Sequence, residues 1–349
     1  MSNIILYRKL PFESNWVDIS SKLKIDKVDI EERVNGSGIC SLMVSNASRW
    51  ADRNVFPGQQ YRIYLKTASE HQFWKPDFEG YIPKNYMNSN IGVSAQKEIP
   101  IIGYIKKFQD IRNRYNLTGI SVPSAVCLLN EQIRHPVQGN FMRVSAKMME
   151  TENVSEEVDM TNNCLDILES IRTGILDTVD TLFPRFYHYI TTYTRTLPLL
   201  RLVREPDIKG LYPDIVIDTD KILQIQVENT SDLLTSMING DNSTWMQRYT
   251  NRTRQYYMDH YEEDNQDEVD NGYKSNLNKT KLLVRWKAIG KSTRVTLSGN
   301  HQIPILSLIN IDTDMNGLTG NFIVYGKRIS RELTTTTELL IRNLPDASL

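Results

Sequence analysis

Leu282-Leu283-Val284-Arg285-Trp286, Thr293-Arg294-Val295-Thr296-Leu297, Ile303 to Ile311, Leu318 to Ile329 and Thr334 to Ile341 follow one another between Lys279 and Leu344. They are separated by Gly290, by Ser298-Gly299-Asn300 and by Asp312-Thr313-Asp314-Met315-Asn316-Gly317. Short runs rich in Val, Ile, Thr and aromatics suit a pleated, half-buried surface, and the Gly and Asn/Asp clusters between them supply turns. In the last run Thr335, Thr337, Leu339 and Ile341 alternate with Thr336, Glu338, Leu340 and Arg342. A period of two sends the first set to a core. Five such runs in about 65 residues predict a small antiparallel barrel or sandwich.

The same character returns at the other end of the chain. Lys27 to Val34 and Ile39 to Val44 flank Asn35-Gly36-Ser37-Gly38, which reads as a hairpin. Gln60 to Leu65 follows Pro57-Gly58 and places Tyr61, Ile63 and Leu65 on one face. Asp77 to Ile82 and Glu98 to Ile105 add two strands, the second with Pro100 at an edge or bulge because proline cannot donate to a ladder. The middle is different. Ser121-Val122-Pro123 opens a helix predicted to reach about Arg134, with proline just inside the start. Ile167, Leu168, Ile171, Ile175 and Val179 recur at helical spacing and predict a second helix over about 163–179. Phe186 to Ile190 and Leu197 to Val203 read as a hairpin. The predicted class is therefore mainly β with an α/β insertion: a β domain at 1–108, the insertion at 109–215 and a second β domain at 216–349. From 239 to 278 runs a polar arm, with Arg/Tyr-rich 248–257 followed by seven acidic residues between Asp259 and Asp270. So little apolar content predicts an extension outside the core or a segment ordered by a partner. The acidic residues would repel a phosphate backbone, so charge pairing is favoured over single-strand binding.

Composition narrows the function classes. Among 349 residues, 41 Lys and Arg balance 42 Asp and Glu, so no net field draws in nucleic acid or a membrane. Cys40, Cys127 and Cys164 are too scattered for a disulfide framework or zinc site, which points to a reducing compartment. The apolar run at Ile4-Ile5-Leu6 is too short for a signal peptide, and no run is long enough for a membrane span, so sequons such as Asn242-Ser243-Thr244 are expected to be chance matches.

Candidate sites reduce to decoys. Gly290-Lys291-Ser292-Thr293 resembles the end of a phosphate-binding loop, but Arg285 stands where the first glycine is needed and strands flank it; a hairpin turn is the expectation. Asp312, Asp314, Asn316 and Gly317 match half of a calcium loop, but Ile323 holds the position of the closing glutamate, so an Asx/Gly turn is favoured over weak calcium binding. His71, His135, His188, His260 and His301 show no metal spacing, and His188 between two tyrosines reads as packing. No catalytic, cofactor-binding or metal residue is assigned.

Two segments share a plan. Pro57 to Leu65 followed by Phe78-Glu79-Gly80-Tyr81-Ile82 parallels Ile303 to Ile309 followed by Leu318-Thr319-Gly320-Asn321-Phe322-Ile323-Val324. With Glu98 to Phe108 and the Thr-rich last strand, this resembles the tail-hub proteins of bacteriophages and related contractile injection machines, including the N-terminal part of type VI secretion spike proteins. The resemblance implies two similar tube-like antiparallel β-barrel domains flanking a middle domain. It implies a homotrimer whose ring adapts a six-fold tail tube to a three-fold spike, with the tail tube protein, a spike or tail-tip protein, and distal tail or wedge proteins as partners. It places the protein in the virion tail or baseplate, without enzymatic activity. DNA would be non-specific cargo, so channel-facing residues should lack clustered Lys and Arg. The alternatives are a jelly-roll capsid or receptor-binding protein, in which 1–108 and 216–349 form one domain, and a hydrolase using residues such as His188, Asp312 and Asp314.

Overall fold

The computed structural model describes residues 4–45, 54–66, 75–86, 96–135, 137, 139–146, 153–154, 158–173, 186–193, 195–229, 291–312 and 319–343. The predicted arm at 239–278, the run Leu282–Trp286, Asp314, Asn316, His71 and His260 lie outside these residues. So do the last turns of the second predicted helix.

The N-terminal part comprises β1 (Ile4–Lys9), β2 (Val17–Asp18), β3 (Ile25–Arg33), β4 (Ile39–Ser45), β5 (Gln60–Leu65), β6 (Phe78–Tyr81) and β7 (Gln96–Ile102). The hairpin β3–β4 forms as read, and Asn35 takes the left-handed conformation at φ 57° that its turn needs. β7 stops at Ile102, earlier than its apolar pattern suggests; Tyr104–Asp110 is a 3-10 helix. The reason is tertiary: Tyr104, Ile105 and Phe108 turn away from the sheet into the core of the middle region. Pro100 sits opposite Ser41 of β4, and β6 meets β7 only at Tyr81–Ile102, so the flank of Pro100 away from β4 carries no ladder.

The middle region holds α1 (Val122–Glu131), β8 (Arg134–His135), β9 (Gly139–Asn140), β10 (Arg143–Ser145), α2 (Cys164–Thr173), β11 (Tyr187–Thr191) and β12 (Leu199–Val203). Helix α1 ends three residues before Arg134, which starts a two-stranded ribbon instead. Strands β11 and β12 are antiparallel as read, and β10 joins β12 in parallel. The apolar faces of both helices share one core with Phe108, Phe141, Met142, Phe186 and Leu202.

The last part comprises β13 (Ile215–Ile217), β14 (Ile222–Asn229), β15 (Lys291–Ser298), β16 (Leu308–Asp312), β17 (Thr319–Arg331) and β18 (Thr335–Asn343). Thr337, Leu339 and Ile341 are fully buried, as the alternation in β18 predicted. Two expectations are corrected. Lys291 to Thr293 belong to β15 and not to a turn, and the stretch before Leu308 is a bend with Leu306 at φ 62°.

The sheet order does not by itself supply the two expected barrels. Among the described residues neither part closes into a barrel; all these strands except β8 to β12 lie in one 13-stranded sheet. Within it the order β3-β4-β7-β6-β5-β1 in one part is matched by β14-β15-β18-β17-β16-β13 in the other, the two being joined through β17 and β3. The two orders correspond strand for strand up to the last position, where β1 is antiparallel to β5 and β13 parallel to β16. The glycines of the shared plan are not equivalent. A Cβ on Gly80 would stand 2.4 Å from the Ile102 carbonyl oxygen, whereas Gly320 is required by its φ of +134°.

The long strand β17 joins the parts. Its first half pairs with β16 and its second half, from Gly326 to Arg331, pairs with β3, with a bulge between Val324 and Gly326. A bulge raises local twist and lets one strand serve two partners. The core under β1–β7 accepts Ile329 from β17, and a third core, under β13–β18, also takes Tyr187, Tyr189 and Val203.

Candidate functional site

Because the two parts share a ladder, they also share a face. On the side away from the cores, Thr296, Glu338, Arg328, Glu31, Ile39 and Ile102 form one row across β15-β18-β17-β3-β4-β7. Ser298, Thr336, Ser330, Asp29, Ser41 and Pro100 form the next. Alternate positions on the other side, such as Leu297, Leu339, Ile329, Ile30, Cys40 and Ile101, are buried. Strand alternation thus produces a polar wall six strands wide over an apolar core.

Three arginines of this wall lie against carboxylates. Arg328 Nε donates to Asp29 Oδ1 at 2.8 Å, Arg33 Nε lies 2.7 Å from Glu31 Oε1, and Arg294 lies 3.7 Å from Glu338. Ser41 Oγ donates to Glu98 Oε1 at 2.6 Å. Exposed pairs contribute only about 0–1 kcal/mol each, so their consequence is the potential of the wall more than its stability. Arg33, Arg294 and Arg328 each lie against a carboxylate, so they present no uncompensated basic stripe.

Behind the wall, polar networks tie the three regions together. β5 is buried on both faces. Gln59, Tyr61, Ile63 and Leu65 look into the core, as Tyr61, Ile63 and Leu65 were predicted to do. The opposite face carries Arg62, whose Nε donates to Glu79 Oε2 at 2.6 Å, with both side chains almost wholly buried. Tyr104 Oη lies 3.1 Å from Gln60 Oε1 and 3.2 Å from Glu79 Oε1, and Arg62 reaches the Thr196 carbonyl of the middle region. Trp16 covers the group, with Arg62 Cζ 4.3 Å and Lys9 Nζ 4.7 Å from its ring centroid. Lys107 stands 3.7 Å above Tyr81 and 4.4 Å from Phe141. Burial pulls both Lys9 and Lys107 down to about 8. Burial also raises Glu79, against the opposing pull of Arg62.

A second junction brings β3, β17, residues 75–77, β11 and residues 302–305 around a cleft of about 20 Å³. That is room for roughly one water, too little for an organic ligand. Asp77 accepts hydrogen bonds there from Leu65 N, Asn300 Nδ2 and Gln302 Nε2. Lys327 Nζ lies 3.0 Å from Glu32.

His188 is buried and sits at a third junction, its Nε2 2.7 Å from Glu169 of α2. Asn35 N donates to the His188 carbonyl, and His188 N donates to Asn35 Oδ1. These bonds tie the β3–β4 turn to the middle region, a positioning role. Burial opposes ionisation of Glu169, but its bonds to His188 and Arg172 outweigh it and hold the carboxyl below the usual range. His135 is buried against Phe141, and His301 Nε2 meets the Ser298 carbonyl. Asp312 ends β16 opposite Thr319. Cys40 and Cys164 are buried and Cys127 is exposed, all as free thiols. Among the described residues no three His, Cys, Asp or Glu side chains gather as metal ligands would, and no helix is long and apolar enough to cross a membrane.

Sequence reading missed the Arg62–Glu79–Tyr104 network and the Asp77 junction. The available signal was charge inside apolar strands, Arg62 in β5 and Glu79 beside Phe78, which alternation alone assigns to solvent.

No family model and no curated protein matches the chain by sequence. Solved structures do. The 43 kDa tail protein of prophage MuSo2 from Shewanella oneidensis aligns at TM-score 0.60 and 12% identity over 99% of this chain and 98% of its own. A tail protein from Neisseria meningitidis MC58 aligns at 0.57 and 11%, over 98% and 97%. The E. coli c3393 protein, a component of the type VI secretion system, aligns at 0.55 and 9%, over 93% and 74%. The chain has the fold of phage tail proteins and of a type VI secretion component, and the tail-hub resemblance is met at the level of fold.

Proposed function

We propose that this chain is a structural component of a phage or phage-like injection machine, a hub at the tail tip or baseplate whose copies close into a ring of three. The observation that carries the reading is the β3–β17 junction. The first strand of one part, β3, offers its edge to the long strand of the other, and a polar wall then runs across both. By the matched strand orders β14 is the counterpart of β3. It pairs only with β15 among the described residues, and Leu223 on it is 59% exposed. In a ring, that edge would receive a strand from the next copy, so three copies would offer six corresponding units in a closed arrangement without free edges. The two sheet orders are then two tube-like modules, 1–108 and 216–349, flanking a middle module at 109–215. Such a ring would match a six-fold tube above and a three-fold spike below.

The wall fits the lining of a channel for DNA. It is polar, and Arg33, Arg294 and Arg328 are each neutralised by a neighbour, so it would not retain a polyanion through the counterion release that drives non-specific binding. No step in this role requires a catalytic residue, cofactor or metal.

The test is native mass spectrometry of the purified chain, alone and with neighbouring tail proteins, with negative-stain averages of the same samples. A trimeric ring with a central hole supports the reading. A monomer that persists in the presence of the tail proteins overturns it.

A further inference from the structure

Two arginines, Arg143 and Arg201, have no ion-pair partner among the described residues. They lie where β10 and β12 meet the loop after β11 and residues 211–214. Arg201 of β12 donates from Nη2 to Tyr193 Oη at 3.0 Å and lies 5.9 Å from the Tyr212 ring. Tyr212 Oη is 2.7 Å from Tyr189 Oη. Arg143 of β10 lies 5.7 Å from the Tyr193 ring and donates to Thr196 Oγ1 at 3.1 Å. The Nε of Arg201 is buried and has no hydrogen-bond partner among the described residues. Lys75 lies beside them: burial and then Lys327 lower its pKa, Glu32 and Asp77 oppose this, and the positive charge of Arg201 adds a smaller lowering. The contrast with neighbouring charges is direct: Arg204 is paired with Asp207, and Lys327 with Glu32. Arg143 is exposed, and Arg201, Tyr193, Tyr212 and Lys75 are half-buried.

A half-buried guanidinium held in place by tyrosines is pre-organised for an incoming oxyanion. Tyrosine and arginine are also the residue types that dominate protein interfaces. We infer that Arg143, Arg201 and Lys75, framed by Tyr193 and Tyr212, form a docking patch for an acidic segment of a partner protein. The occupant is taken as protein because of the patch's place in the sheet. Through the cleft, Lys75 neighbours Glu32 and Lys327, which by strand alternation leave the sheet opposite Glu31 and Arg328 of the polar wall. The choice of occupant rests on the hub reading, in which the wall side meets DNA and this side meets other tail proteins. The charge complementarity does not.

The experiment measures fluorescence anisotropy of two labelled probes, an octaglutamate peptide and a single-stranded dT oligomer, with the full chain at low salt. Binding of the peptide, lost at least tenfold in Arg143→Gln and in Arg201→Gln and weakened by added salt, is expected. Arg143 is exposed, so its variant keeps the fold if Arg201→Gln does not. Peptide binding that is absent, or unchanged in Arg143→Gln, overturns the proposal, as does tighter binding of dT at the same patch. Native mass on the same samples separates the two readings, since a trimer without peptide binding rejects the patch alone.

Discussion

Asp77 and Asn300, 223 residues apart in sequence, meet at 3.0 Å, where Asn300 Nδ2 also reaches the Leu65 carbonyl. One amide thus closes the connection between β5 and β6 and fastens it to the loop after β15. Asn300→Ala leaves Asp77 with Leu65 N and Gln302 and should cost about 1–3 kcal/mol, the penalty for a buried acceptor losing a donor. Urea denaturation checks this; a change below a few tenths of a kcal/mol would show that the fastening is not structural.

The Arg62–Glu79 pair should be more sensitive. Glu79→Ala leaves a buried guanidinium beside Lys9 and removes an acceptor from Tyr104. A loss of about 3–5 kcal/mol is expected. Glu79→Gln, which keeps the shape and one acceptor, should lose less, and equal losses in the two variants would refute a charge-based account.

Gly80→Ala tests the closest approach in the sheet. The new methyl would overlap the Ile102 carbonyl, which is backbone and cannot rotate away. Overpacking of this kind costs about 1–3 kcal/mol or more. Gly36→Ala, where the nearest atom is 3.7 Å away, is the control and should be close to neutral.

The seam lysines predict an alkaline gain in stability. Lys9 and Lys107 are depressed to about 8 from the usual 10.5, so between those values the folded chain holds fewer protons than the unfolded one. Stability therefore rises as pH climbs from about 8 toward about 10.5. Denaturant midpoints at two pH values in and below this window measure the slope. Lys107→Met should reduce it, and an unchanged slope would remove Lys107 from the account.

The edge of β14 that is unpaired among the described residues predicts where the proposed ring can be broken. Leu223→Lys places a charge on an edge strand, a substitution that opposes strand addition while leaving an exposed site in the monomer unstrained. Trimer mass should fall to monomer at the same protein concentration, with the far-ultraviolet circular dichroism unchanged. A trimer that survives the substitution would locate the contact elsewhere.

The strands that sequence alone could place are those with one dry face and one wet one. In β3, β4 and β18 the alternation of Val28, Ile30, Leu42, Val44, Leu339 and Ile341 with polar residues is set locally, because each side chain's solvent exposure is decided by the pleat. The start of α1 was legible for a similar reason, since Pro123 fixes the first turn. The resemblance of two β parts also lay in the sequence, and the matched strand orders give it a geometric counterpart.

What tertiary structure alone decided is where pattern and partner disagree. Tyr104 and Ile105 continue an apolar strand pattern but leave the sheet, because the middle region supplies a deeper burial site. Arg62, Gln60 and Glu79 occupy the outward positions of their strands and are nevertheless buried, because that face is covered by Trp16, Tyr104 and residues near Thr196. The step of β17 from β16 to β3, which turns two sheets into one wall, depends on contacts across some 300 residues of sequence, and no local period encodes a partner that distant. The sequence by itself determined which faces must be dry. Only the folded chain could determine what covers them, because burial is set by the whole packing and a strand's own period reports just its two sides.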